Sequence, residues 1–436
     1  MTLPPPQKKP SVAWRAYRDY RARLIRSVQP AVLGEFEETI LDGIEARAAQ
    51  DPRGAVAASH AELLSLLGDA DLHTDPAGLA RTRGIYDAAR RATYPASAAY
   101  IDHAQGLSGL THNASLTEVD GELLRVIDLL AHDDPTYKDF VDPMVAILAK
   151  IGSSPDIVAY NQFFEIYAEA MVLNFLRGRG IRTSRIKEKT SAPDFRCELE
   201  DGRPYYVEVK AFDIVDGIHR HKQIMEAGLA PNIEIERQLR EGRRIAFAES
   251  EVAPYRRAYG DTGYDAYSVK RIIDTLREKS RGAFKPSQFE RGPTFALAVV
   301  DRLSLHGWKS ALVPYYYDEH GGSGDCVSGV IWHAAFGRAG MPVMRRPEFE
   351  GKPSVEGYLD RDGLYVDAGQ DFPGAGLVVL QRSSGKRLSY GLRAPGTSDG
   401  QWSEDDSEEA LHAMCHAWND QASTRGFDKS RCEIEH

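Results

Sequence analysis

The sequence predicts an α/β protein: a mixed β-sheet flanked by helices, with an all-helical domain before it and a small β-rich appendage after it. Three observations lead there. Apolar residues recur at helical spacing from Trp14 to about Ile151. One long helical stretch is then followed in quick succession by three short β-rich runs. Finally, Thr294-Phe295-Ala296-Leu297-Ala298-Val299-Val300 is an unbroken apolar run too short for a typical helix and suited to a strand covered on both faces.

Residues 1–10 are rich in proline and are expected to be disordered. A helical domain is expected over 11–155, with segments such as Glu122–Leu130 and Val141–Leu148 carrying one apolar face. Its breaks fall at Asp51-Pro52-Arg53-Gly54 and His132-Asp133-Asp134-Pro135, and no repeat is apparent. A second domain is expected over 156–340. It opens with a helix from Val158 to Arg177, stopped by Gly178 and Gly180, and continues with strands at Ile181–Ile186, Asp194–Leu199 and Tyr205–Phe212. An Arg-rich insertion follows, then a helix over Tyr267–Arg281, the apolar strand from Thr294, and a further strand over Gly329–Phe336. From 341 to 436, short β runs such as Leu377–Leu380, the acidic segment Glu404–Glu409 and a last helix make up the appendage.

Composition narrows the function classes. A chain of 436 residues, 42% hydrophobic and 27% charged, is long enough for two or three ordinary globular domains. Its N-terminus has no apolar run after the positive charges, which argues against a secretory signal, and no membrane span is visible. Four scattered cysteines (Cys197, Cys326, Cys415, Cys432) fit a reducing, cytoplasmic compartment. The formal net charge of −10 is unfavourable for holding phosphates, but residues 177–285 carry 23 Lys and Arg against 18 Asp and Glu. Positive charge is therefore concentrated around the segment where the chemistry lies.

That segment runs from Ala192 to Lys210 and reads as a hairpin. If Glu200-Asp201-Gly202 is a three-residue loop with Gly202 in the left-handed position, Leu199 pairs with Arg203. Counting back along both strands then sets Asp194 opposite Glu208. Phe195, Cys197 and Leu199 share the inward face with Tyr205, Val207 and Val209. The other face carries two carboxylates side by side, with Lys210 two residues beyond. Like charges so placed repel unless a cation lies between them, and a hard divalent ion such as Mg²⁺ or Mn²⁺ suits carboxylate oxygens. On this reading Asp194 and Glu208 bind the metal together with the Val209 carbonyl, while Lys210 positions water and opposes the negative charge that develops on phosphate.

Pro193-Asp194, thirteen residues, then Glu208-Val209-Lys210 resembles the motif of the PD-(D/E)XK superfamily of restriction-endonuclease-like nucleases. The resemblance covers about residues 157–336. It implies a core of a helix, three strands, a helix and a strand, and metal-dependent hydrolysis of phosphodiester bonds in DNA without a covalent intermediate. Relatives of the Mrr and Holliday-junction-resolvase type carry a Glu on the first helix. Glu169 fits that place as a further metal and catalytic residue, and Glu165, one turn earlier, is its rival. Gln223 is the candidate for the Gln or Lys that some members carry after the Lys strand. The departure from the family pattern is the long insertion over about 213–266.

Arg182, Arg185, Lys187, Lys189, Arg243 and Arg244 are the candidate phosphate contacts. A dimer or higher assembly is expected if both strands are cut. Restriction, phage defence or repair is the setting the resemblance implies. The same site chemistry also serves RNA or branched DNA, and a silent binding protein of the same fold is the remaining alternative. His412, Cys415, Cys432 and His436 have zinc-ligand types but no standard finger spacing, and Gly321-Gly322-Ser323-Gly324 lacks the Lys-Ser/Thr ending of a phosphate loop.

Overall fold

The computed structural model describes residues 33–67, 76–108, 119–150, 157–187, 192–211, 231, 233–248, 270, 273, 274, 277, 284–300, 315–317, 325–328, 330–345, 354–367, 376–383, 386–393 and 402–419. Residues 1–10, where disorder is expected, lie outside this set. Contacts divide the chain into two units, one of residues 1–106 and 121–152, the other of 107–120 and 153–436.

The described residues of the first unit are helical: α1 (Leu33–Gln50), α2 (Ala55–Leu67), α3 (Pro76–Thr93), α4 (Pro95–Ser108), α5 (Gly121–Ala131) and α6 (Pro135–Lys150). The breaks read from sequence are where the helices stop. Asp134 accepts a hydrogen bond from the Thr136 N–H at 2.8 Å, capping α6 just ahead of its first-turn Pro135. α5 buries Leu123, Leu124 and Ile127, and α6 buries Phe140, Val141, Met144 and Leu148, the one-sided pattern of amphipathic helices. The start of α4 is held from within: buried Asp128 accepts from the N–H groups of Ala96 and Ser97, each at 2.9 Å.

The second unit opens with α7 (Ile157–Gly178). Gly180, at φ +82°, ends it, with Ile181 N–H donating to the Leu176 carbonyl and Gly180 N–H to that of Arg177. β1 (Arg182–Arg185), β2 (Phe195–Glu198) and β3 (Pro204–Ala211) follow, each antiparallel to the next. β4 (Thr294–Val300) lies parallel to β3 and is buried over 294–299, as its uniform apolarity predicts. Between β3 and β4, residues 270, 273, 274 and 277 are helical, with Ile273 fully buried.

Beyond β4 the structure departs from expectation. β5 (Tyr315–Tyr317) pairs with β6 (Asp325–Ser328), and β7 (Pro342–Arg345) pairs with β8 (Ser354–Tyr358), as two small ribbons. The strand expected over Gly329–Phe336 is instead a helix, α8 (Val330–Phe336), which packs on α9 (Leu364–Asp367). Trp332, Ala334 and Ala335 are buried in it. A short apolar run has no periodicity that separates a buried helical turn from a strand.

The C-terminal region is not an appendage. β9 (Gly376–Ser383), β10 (Lys386–Arg393) and β11 (Ala417–Asn419) extend the main sheet, giving the order β1-β2-β3-β4-β9-β10-β11. β9 runs parallel to β4, β10 antiparallel to β9, and β11 parallel to β10. Leu377, Val378, Val379 and Leu380 are buried, so the sheet core continues past residue 341. α10 (Glu404–Met414) connects β10 to β11, and the acidic segment is its first turn, where negative charge complements the helix dipole.

Candidate active site

The β2–β3 hairpin has the register its turn predicts. Gly202 takes φ +90°, Leu199 N–H donates to the Arg203 carbonyl at 3.0 Å, and Phe195 stands opposite Val207. Phe195, Cys197, Leu199, Tyr205, Val207 and Val209 are buried together. One step before Phe195, Asp194 is tied across the pair: its Oδ2 accepts the Val209 N–H at 2.7 Å. Asp194 is thereby held beside Glu208.

The carboxylate side of the hairpin is also covered, because α7 packs on β3 and β1. Glu208 is 1% exposed and Lys210 30%. Glu208 Oε1 lies 2.5 Å from Lys210 Nζ and accepts a hydrogen bond from Gln288 Nε2. Glu208 Oε2 is buried with no fixed donor among the described residues, and a proton shared with the Asp194 carboxyl is the hydrogen bond open to it. From α7, Glu169 Oε2 accepts from Arg185 Nη2 at 2.9 Å. Glu165 is exposed, though its charge still acts on Lys210.

Electrostatics bind these groups into one site. Burial raises Glu169 to about 7, with the negative charge of Asp194 adding to it and Arg185 opposing. Burial likewise raises Glu208 to about 7, again reinforced by Asp194 and opposed by Lys210. Asp194 is raised by burial, against the Val209 N–H and Lys210. Burial pulls Lys210 down, but Glu208 and Asp194 outweigh it and the ammonium is held above its ordinary value. Three carboxylates this close resist ionising together.

Such a donor set fits a hard divalent cation: all its side-chain donors are oxygens, they repel one another, and one of them, Glu208 Oε2, has no fixed donor among the described residues. Among the described residues no three His, Cys, Asp or Glu side chains already form a closed ligand cluster. Their geometry explains this, since Glu208 Oε1 is turned to Lys210 and Gln288, and Glu169 Oε2 to Arg185. Holding an ion with all three carboxyls requires Glu169 to turn from Arg185, whereas Glu208 can offer Oε2 without leaving Lys210 or Gln288.

Gln288 was missed by sequence reasoning. It sits on a short 3₁₀ turn, Pro286–Phe289, just ahead of β4. Its Oε1 accepts the Lys285 N–H at 2.8 Å, which directs its amide nitrogen to Glu208. The available signal was Pro286 opening a helical turn before a buried strand. Gln223, the residue expected to play such a part, lies outside the described residues, as does Lys189.

The other basic candidates are dispersed. Arg182 is exposed and lies 3.4 Å from Glu198. Arg185, expected on phosphate, is paired with Glu169. Lys187 is exposed, and so are Arg243 and Arg244, which follow a helix over 233–240. Of the zinc-type set, Cys415 is fully buried and His412 packs edge-on against Trp418, while Cys432 and His436 lie outside the described residues.

The hairpin tip is anchored on α10. Arg203 Nη1 and Nη2 reach Asp406 at 2.6 and 2.7 Å, and this guanidinium holds Asp406 down to about 2. Glu200 N–H donates to Glu409 at 3.1 Å.

No protein-family model, no curated protein and no solved structure matches the chain. Among the described residues no helix is long and apolar enough to cross a membrane.

Proposed function

We propose that the protein is a metal-dependent nuclease of the PD-(D/E)XK type that hydrolyses phosphodiester bonds in DNA. One observation carries this reading: Asp194 just before β2, Glu208 on β3 and Glu169 on α7 are gathered around Lys210, with Asp194 tied to the Val209 N–H, Lys210 on Glu208, and the charges of Asp194 and Lys210 acting on Glu169. A structural ion pair has no need of three mutually repelling carboxyls, one buried and two half-buried. The chain order α7-β1-β2-β3, then β4 parallel to β3, supports a restriction-endonuclease-like core.

Asp194 and Glu208, with the Val209 carbonyl, would hold Mg²⁺ or Mn²⁺, and Glu169 would complete the set. Such a cation, when bound, neutralises phosphate charge and acidifies water. The chain's own groups do the rest. Lys210, fixed by Glu208, orients the attacking water and meets the charge that grows on the phosphate oxygens. Gln288 keeps the Glu208 carboxylate from turning away. Arg182 and Lys187 lie on or just after β1 and supply exposed positive charge for the nucleic-acid backbone. Cutting both strands calls for a dimer, and restriction, phage defence or repair is the proposed setting.

The test is cleavage of supercoiled plasmid, single-stranded RNA and a four-way DNA junction, each with Mg²⁺, Mn²⁺ or EDTA. Plasmid nicking with metal, its absence in EDTA, and a loss of about 10²–10³-fold in Lys210→Ala are expected. Equal cleavage by Lys210→Ala and wild type rejects the proposal, and the ranking of the three substrates decides which nucleic acid is the natural one.

A further inference from the structure

Resting on the nuclease reading, we infer that Arg185 is an internal counter-ion that hands Glu169 over to the metal when a phosphodiester arrives, making metal and nucleic acid bind cooperatively.

Glu169 and Glu208 are neutralised differently. Glu208 is sealed at 1% exposure between Lys210 and Gln288. Glu169 is 22% exposed, and its partner Arg185 is 23% exposed at a separation of 2.9 Å, so this pair is within reach of a solute. Arg185 ends β1 at the point where the chain meets Asp194, for Ile186 N–H donates to the Asp194 carbonyl at 2.9 Å. Its positive charge also acts on the Asp194 carboxyl. The guanidinium therefore serves the same two carboxylates that a shared cation would serve.

Two consequences follow from charge alone. A guanidinium and a divalent ion drawn to one carboxylate repel each other, so Arg185 competes with metal for Glu169. A phosphodiester offers Arg185 a better match than one carboxylate oxygen, because its paired oxygens accept the planar fork in bidentate fashion. Once Arg185 turns to phosphate, Glu169 is left as a ligand. By linkage, the metal must then tighten nucleic-acid binding by the same factor as nucleic acid tightens metal binding.

The experiment is calorimetric titration of Ca²⁺ into the full chain, with and without a short DNA duplex, in wild type, Arg185→Ala, Arg185→Lys and Glu169→Gln. In wild type the duplex should tighten Ca²⁺ binding by about tenfold. Arg185→Ala should bind Ca²⁺ several-fold more tightly than wild type without DNA, and the duplex should no longer change that affinity. Glu169→Gln should bind Ca²⁺ weakly in both conditions. Arg185→Lys, which keeps a charge without the fork, should retain the competition and lose most of the cooperativity, and it provides the answer if the alanine variant does not fold. Wild type binding both ligands with no mutual effect overturns this inference and leaves the nuclease reading intact. Wild type binding neither ligand overturns both.

Discussion

Glu208 shows why single side chains decide this account. Its neighbours are the Asp194 carboxyl, an ammonium and one directed amide, and its pKa is raised to about 7 by burial and by Asp194. Glu169 is raised to about 7 as well. The folded protein therefore keeps protons that the unfolded chain releases, and the sign is fixed. The stability these groups contribute is fully present below about pH 4.5 and is lost as pH rises through about 7. A divalent cation binds the ionised forms, so its stabilising effect should grow across the same window. Melting curves with and without saturating MgCl₂ should coincide near pH 4.5 and separate above pH 7. A constant separation over that range would show that these carboxyls are not the ligands. Asp194, Glu208 and Lys210 were legible in the sequence because a hairpin turn and a period of two fix them. Gln288 was not, because its approach to Glu208 depends on a parallel strand pairing that the local sequence does not encode.

Among the elements, the hairpin and α10 act together. Ser403 caps α10 by accepting the Asp406 N–H at 3.2 Å, and Asp406 grips Arg203 at the hairpin tip. Ser403→Ala should cost about 1 kcal/mol, read as a lower denaturant midpoint with unchanged slope. No shift in the midpoint would mean that the cap is dispensable. The turn at Gly202 was readable because a three-residue loop requires a left-handed residue there, and the stop of α7 was readable at Gly180 for the same reason. α8 was misread as a strand, since its β-branched start and aromatic residue suit either state when the run is this short.

The whole second unit depends on its C-terminal strands. β9 lies between β4 and β10, and Gly376 is in such close contact that an added Cβ would come within 2.3 Å of the Leu392 carbonyl. The sequence gives no local sign of this. A parallel partner for β4 lies some eighty residues downstream, and pairing over such a distance leaves no spacing rule to follow. In a chain ending at residue 340 the sheet's part of the circular dichroism melt should therefore lose cooperativity while the helical first unit still unfolds, since β4 would keep β3 but lose β9. A sharp thermal transition of the sheet signal in that shortened chain would restore the appendage view.

The central claim is that Asp194 and Glu208 hold one divalent ion in common. Mn²⁺ binding at pH 8, followed by electron paramagnetic resonance of the free ion, tests it most directly on wild type, Asp194→Asn and Glu208→Gln. Saturable binding in wild type that either substitution abolishes while the melting transition survives is the predicted result. Undiminished binding in both variants, or none in wild type, would contradict it.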